Sequence, residues 1–138
     1  VGNTRGSDFN LFDNNITDIN KLKDELIDIL KNNLKSNIFI KDSFVTIFKS
    51  GGGVKTHGHD NTFDRRMKCI NRKLSLVYYI SIGDQDCEDP GILKLYNPNT
   101  NILPKDGMIV VFPADRLHSA SYSGKTDRII VGINFYLI

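Results

Sequence analysis

The sequence predicts a mainly β domain, a sandwich or barrel, preceded by a single helix. Short apolar runs rich in Val, Ile, Leu, Phe and Tyr recur from Phe44 to the C-terminus, with turn signals every eight to twelve residues. Only one stretch, residues 17–35, carries a helical period instead. A chain of 138 residues, 40% apolar and 25% charged, suits one domain with one core.

Composition also excludes function classes. A formal charge of +2 gives no basic bias for nucleic acid and no acidic tail. No apolar run approaches the ~20 residues of a membrane span. Two cysteines, Cys69 and Cys87, make no disulfide framework, so a reducing, cytoplasmic setting is expected, with the chain a monomer or weak dimer. The first residues show no signal-peptide pattern and no initiator Met, as in a trimmed or processed chain.

In order, residues 1–16 are polar and aperiodic and read as an extended or partly ordered lead-in. Ile19, Leu22, Leu26, Ile29, Leu30 and Leu34 then form an apolar stripe opposite Lys21, Lys23, Asp24, Glu25, Asp28 and Lys31. Thr17 is the expected N-cap, and Asp18 suits the positive helix end. This helix is expected to cover one face of a sheet. The remaining chain, 38–138, makes the β core. Lys41-Asp42 is read as a break before the strand Phe44–Phe48. Gly51-Gly52-Gly53 is read as a hairpin turn, because no Lys-Ser/Thr follows to make a phosphate loop. Thr62 to Asn71 reads as a charged loop, either a solvated connection or a mobile flap with Arg65, Arg66 and Lys68 facing a substrate. Further strands follow at Leu74–Ile82, Gly91–Tyr96, Met108–Phe112 and Arg128–Leu137.

The chemistry centres on the histidines. The chain has three, His57 and His59 in Lys55-Thr56-His57-Gly58-His59-Asp60-Asn61, and His118 about sixty residues later. On a strand, residues two apart share a face, so His57 and His59 point together, and neutral imidazole is a common metal ligand. Asp60 would face away unless Gly58 bulges the strand. Two or three nitrogen ligands with open positions fit non-haem Fe(II) better than hydrolytic zinc.

Ordered landmarks extend this pattern. Gly51-Gly52-Gly53-Val54-Lys55-Thr56-His57 is followed by Arg72-Lys73-Leu74-Ser75-Leu76-Val77-Tyr78-Tyr79-Ile80. Next come Pro90-Gly91-Ile92-Leu93-Lys94-Leu95-Tyr96 and Pro104-Lys105-Asp106-Gly107-Met108-Ile109-Val110-Val111-Phe112. His118 follows, and Arg128 stands ten residues beyond it. From about Phe44 to Tyr136 the chain resembles the prolyl-hydroxylase-like 2-oxoglutarate/Fe(II) dioxygenases. The resemblance implies a double-stranded β-helix (jelly roll) that binds Fe(II) and 2-oxoglutarate, with ascorbate a candidate auxiliary reductant. It implies O2 and a peptide (prolyl-type) or small-molecule substrate, and hydroxylation of a C–H bond. By resemblance, Arg128 holds the distal carboxylate of 2-oxoglutarate, with Lys125 the second choice. Tyr79 gives its hydroxyl to that carboxylate, and Tyr78 packs on the other side.

Two departures stand out. The family's His-x-Asp becomes His57-x-His59, so the third ligand is His59 or a bulged Asp60. Phe48 stands near where related prolyl hydroxylases carry a tyrosine. Two other readings compete: a non-catalytic jelly-roll binding module, and a cupin-type three-histidine oxygenase without 2-oxoglutarate. Only the 2-oxoglutarate reading requires a buried cation at Arg128.

Overall fold

The computed structural model describes residues 2–138; Val1, the first residue of the expected lead-in, lies outside them. The lead-in is better ordered than its composition suggests. It contains strand β1 (Thr4–Gly6) and a 3-10 turn at Leu11–Asp13 before helix α1 (Thr17–Leu34). Thr17 is the first helical residue rather than the cap. Ile16 takes the cap position, with no side-chain hydrogen bond. Leu26 and Leu30 are buried, and Ile19, Leu22 and Leu34 pack beside them, whereas Ile29 stays 42% exposed at the stripe's edge.

The helix lies on a five-stranded sheet of order β1-β2-β9-β4-β7. Its further members are β2 (Ile38–Phe48), β4 (Lys73–Ser81), β7 (Ile109–Pro113) and β9 (Arg128–Leu137). A second sheet, β3-β8-β5-β6, is formed by β3 (Gly52–His57), β8 (His118–Tyr122), β5 (Leu93–Leu95) and β6 (Thr100–Ile102). All ladders between strands are antiparallel. Apart from the β1–β2 and β5–β6 pairs, successive strands fall in different sheets, the jelly-roll pattern that the sequence predicts. The triple glycine is therefore a corner and not a hairpin: β3 pairs with β8, while β2 pairs with β1 and β9.

A register shift in β2 organises the interior. Ile40 opposes Phe135 and Asp42 opposes Asn134, leaving Lys41 as the extra residue of a bulge. The expected break at Lys41-Asp42 is this bulge inside one continuous strand. Residues two apart share a face, so without it Ile40 and Asp42 would point the same way. With it, Ile38 and Ile40 join Leu74, Leu76, Tyr78, Val131, Ile133 and Phe135 under the helix. Asp42, Phe44, Thr46 and Phe48 turn to the opposite face, between the sheets.

That inner face is a ladder of cross-strand rows. Asp42, Asn134 and Ser75 form one, then Phe44, Gly132 and Val77, then Thr46, Ile130 and Tyr79, and finally Phe48 with Arg128. Gly132 is required by its row, because the Phe44 ring lies where a Cβ would project.

The segment after β3 is also structured. Thr62–Arg66 forms helix α2, closed by a reciprocal capping box between Asn61 and Asp64. Asp64 is fully buried. Its carboxylate accepts from Lys73 Nζ at 2.9 Å and from the Tyr136 hydroxyl. Cys69 and Cys87 are both free. No helix among the described residues is long and apolar enough to cross a membrane.

Candidate active site

β3 ends at His57 and β8 begins at His118, and the two residues are register partners. The chain then leaves the ladder, and the backbone N–H of His59 donates to Ala114 O at 2.6 Å, on the turn that leads into β8. That contact folds His59 back beside its neighbours. One donor atom from each of His57, His59 and His118 lies within 4.8 Å of the others. The His57 and His118 rings are 4.3 Å apart, and those of His59 and His118 are stacked at 5.0 Å.

Hydrogen bonds orient two of these rings. His57 Nδ1 lies 2.6 Å from Lys55 O, and His118 Nδ1 lies 3.1 Å from Arg116 O. A carbonyl only accepts, so each Nδ1 carries the proton and each Nε2 presents a lone pair. Burial, and then the neighbouring His118 and His57, pull the His59 pKa down to about 4. Burial also lowers that of His118. His59 and His118 are therefore uncharged in neutral solution, as metal ligation requires. A set of imidazoles aimed at one point, two of them with fixed Nε2 lone pairs, fits a divalent transition metal.

Asp60 turns elsewhere. Its carboxylate accepts from Arg65 Nε at 2.8 Å and from the same guanidinium's Nη2. Arg65 is thereby tied to Asp60 rather than held free toward a substrate, and α2 occupies the first part of the stretch that the sequence suggested was a solvated or mobile loop.

The histidines open onto a cavity of about 420 Å³ between the sheets, which Tyr79, Arg128, Phe48 and Tyr122 also line. Arg128 is 2% exposed. Its Nε donates to Ile82 O at 2.9 Å, and its Nη1 and Nη2 donate to Gly91 O and Pro90 O at 2.6 Å each. Its guanidinium lies 4.9 Å from the Tyr122 ring centre and 5.9 Å from that of Tyr79. Among the described residues no carboxylate pairs with it. The guanidinium has five N–H donors and the carbonyls engage three, so two stay available to an anion in the cavity. Tyr79 is buried, and that burial pushes its pKa up to about 12 against a smaller opposing pull from Arg128. Its hydroxyl thus remains a donor in neutral solution. Lys125 is exposed on the turn and does not line the cavity. Tyr78 packs against the helix-side core.

Gly91 is the hidden partner of Arg128. Its φ of +77° suits glycine, and an added Cβ would overlap the guanidinium. Gly91→Ala is therefore expected to displace Arg128 and to weaken anion binding in the cavity about tenfold or more while leaving metal binding intact. Titrating 2-oxoglutarate and metal separately checks this.

The fold is shared with known proteins. The family model described as the 2OG-Fe(II) oxygenase superfamily matches residues 44–136. The chain belongs to that superfamily. Among solved structures, it resembles a viral collagen prolyl hydroxylase from Paramecium Bursaria Chlorella virus-1 with a TM-score of 0.72. The two are 16% identical, and the match covers 99% of this chain and 80% of that one. A Trichoplax adhaerens prolyl hydroxylase, solved with a hypoxia inducible factor peptide, gives a TM-score of 0.70 at 15% identity, covering 96% of this chain and 62% of that one. An oxidoreductase of the 2OG-Fe(II) oxygenase family from Burkholderia pseudomallei gives 0.65 at 10% identity, covering 89% and 58%. The chain thus spans less than two thirds of the length of the last two. No curated protein matches the chain by sequence.

Three features of the site escape a reading by residue type. Lys73 and Asp64 look like surface charges in the sequence, and only Asn61-x-x-Asp64, a capping spacing, hints otherwise. Asn134 lies in an apolar run, where a buried amide is a signal of its own.

Proposed function

We propose that the chain is a 2-oxoglutarate- and Fe(II)-dependent oxygenase that hydroxylates a C–H bond of an uncharged group on a peptide or small molecule. One observation carries the reading: a three-histidine cluster shares a cavity with a buried arginine that has no carboxylate partner among the described residues. His57, His59 and His118 would hold the metal. Asp60 is less suited, because Arg65 already engages its carboxylate. Bound Fe(II) would supply the activation of dioxygen and the oxidation itself.

The protein's own residues bind and orient. Arg128 would grip the distal carboxylate of 2-oxoglutarate with its two unengaged N–H groups, and Tyr79 would donate its hydroxyl to the same group. Tyr122 and Phe48 line the cavity beside Arg128, and their rings would limit the access of water to the pair. Toward the histidines the walls are Phe9, Phe44, Val54, Val77 and Leu93. Among the described residues no Asp, Glu or Lys lines the cavity, and Arg128 is the one permanent charge there. The ammonium of a free amino acid would have no partner there, and a buried unpaired charge is costly. This favours a peptide-linked residue or an apolar metabolite. The presence of a buried cation at position 128 favours the 2-oxoglutarate reading over a cupin-type oxygenase or a binding module.

Conversion of 2-oxoglutarate to succinate tests the proposal. It is expected to require added Fe(II), and N-acetylated amino acid amides are expected to stimulate it more than the same free amino acids. Equal stimulation by the free amino acids would overturn the substrate reading. Absence of succinate under every condition would overturn the activity.

A further inference from the structure

We infer that Asn134 decides whether His59 can serve as the third metal ligand, and that its amide must turn over for the metal to be held by all three histidines. The inference rests on the metal reading above and concerns a residue that touches neither metal nor cosubstrate.

Asn134 is 4% exposed and occupies the inner row between Asp42 on β2 and Ser75 on β4. Its Nδ2 donates to Asp42 Oδ2 at 3.2 Å and lies 3.5 Å from His59 Nδ1, while its Oδ1 accepts from Ser75 Oγ at 2.7 Å. The direction of the amide follows from chemistry. Asp42 Oδ2 is the acceptor on one side and Ser75 Oγ donates on the other, so the NH2 end faces Asp42, and that same end faces His59.

The consequence separates His59 from its two neighbours. His57 and His118 each have a carbonyl at Nδ1, which leaves Nε2 free to coordinate. His59 has a donor at Nδ1, so in the metal-free chain its proton belongs on Nε2. That atom lies 3.3 Å from His118 Nε2, which accepts it. Two of the rings and the amide thus form one self-consistent chain: Asn134 donates to His59, His59 donates to His118, and His118 donates to Arg116 O. In this state His57 is preset as a ligand, the His118 lone pair is occupied by His59, and the His59 Nε2 bears a hydrogen where a metal would bind. To coordinate through Nε2, His59 must carry its proton on Nδ1 instead and needs an acceptor there. Asn134 can supply one by turning its Oδ1 toward His59, which sets that oxygen against the Asp42 carboxylate and leaves Ser75 Oγ to accept from the amide NH2. The β2 bulge, by placing Asp42 on the inner face, is what holds the amide in the other orientation.

The test exchanges the two partners. Asp42→Asn with Asn134→Asp keeps net charge and shape, retains a hydrogen bond across the row, and presents His59 with a carboxylate acceptor. Two readouts are made: the imidazole nitrogen tautomers of the metal-free chain by long-range proton–nitrogen NMR, and Co(II) affinity with its ligand-field absorption spectrum. We expect His59 as the Nε2–H tautomer in the wild type and the Nδ1–H tautomer in the exchange variant. The variant is expected to bind Co(II) at least about tenfold more tightly, within the range for outer-shell partners of metal-bound histidines. A wild-type Nδ1–H tautomer, or an exchange variant that binds Co(II) no more tightly, would overturn the role of Asn134 while leaving the metal site standing. Failure of the wild type to bind Co(II) at all would overturn the metal reading itself, and the inference with it.

Discussion

Arg128→Leu is expected to weaken 2-oxoglutarate binding by roughly 30- to 5,000-fold, the equivalent of about 2–5 kcal/mol for truncating one partner of a buried, hydrogen-bonded charge pair. The size of the effect follows from the site. Among the described residues Arg128 is the only permanent charge lining the cavity, and the three carbonyls they offer engage three of its five N–H groups. Arg128→Lys is expected to fall between wild type and the leucine variant. An ammonium keeps the charge but cannot grip three carbonyls and a carboxylate together, because it has three donors rather than five. Calorimetric titration of the metal-loaded chain measures both variants. Thermal denaturation serves as the control, since the carbonyls of Ile82, Pro90 and Gly91 lose their donor in the leucine variant. Affinity unchanged in a folded Arg128→Leu variant would contradict the assigned anchor.

The second large effect is on stability. Asp64→Ala is expected to destabilise the fold by about 3–5 kcal/mol, because it strands Lys73 as a buried, unpaired ammonium. Lys73 is 2% exposed and Asp64 has no exposed surface, so water cannot take the place of the lost carboxylate. The damage is also local. Asp64 caps α2 through Asn61, and Asn61 follows His59 by two residues, so metal affinity is expected to fall with stability. The wild type carries the matching pH signature. Burial raises the Asp64 pKa, but hydrogen bonds from Tyr136, Lys73 and the Asn61 backbone outweigh it, and the net value lies below the ordinary 3.8. A depressed folded pKa means the contribution is complete above the unfolded value and is lost as pH falls through the folded one. Urea denaturation from neutral pH down through the carboxylate range is therefore expected to show a wild-type decline that Asp64→Ala lacks. Parallel profiles for the two chains would contradict this account of Asp64.

The particular residues explain how far sequence alone reaches. The α1 stripe and the strand alternation of β4 and β9 were readable because each buries one face, and burial imposes a period. His57, His59 and His118 stood out because imidazoles carry chemistry wherever they sit, and Tyr79 and Arg128 only through the family resemblance; the structure places all five around one cavity. The β2 bulge was not readable: one unpaired residue, Lys41, leaves no compositional trace, yet it turns Asp42 and Phe44 inward. Lys73 and Asp64 misled for a different reason. Buried charges are rare enough that a charged residue reads as solvent-facing until its partner, here on another element, is known. The lead-in showed no period because it buries little of itself. Even so, Thr4 at the edge of the large sheet bonds Gly53 at the edge of the small one, so the segment closes the cavity's side. Gly91 and Gly132 look like turn and strand glycines in the sequence, and each instead leaves room for a side chain, Arg128 from the opposite sheet and Phe44 from the neighbouring strand.

The most direct test of the central claim is anaerobic binding of 2-oxoglutarate to the Fe(II)-loaded chain, followed by its visible metal-to-ligand charge-transfer absorption. The account predicts a band in the wild type and in Asp60→Ala, and its loss in His59→Ala and Arg128→Leu. An iron-loaded wild type without the band, or a band that survives His59→Ala and disappears in Asp60→Ala, would contradict it.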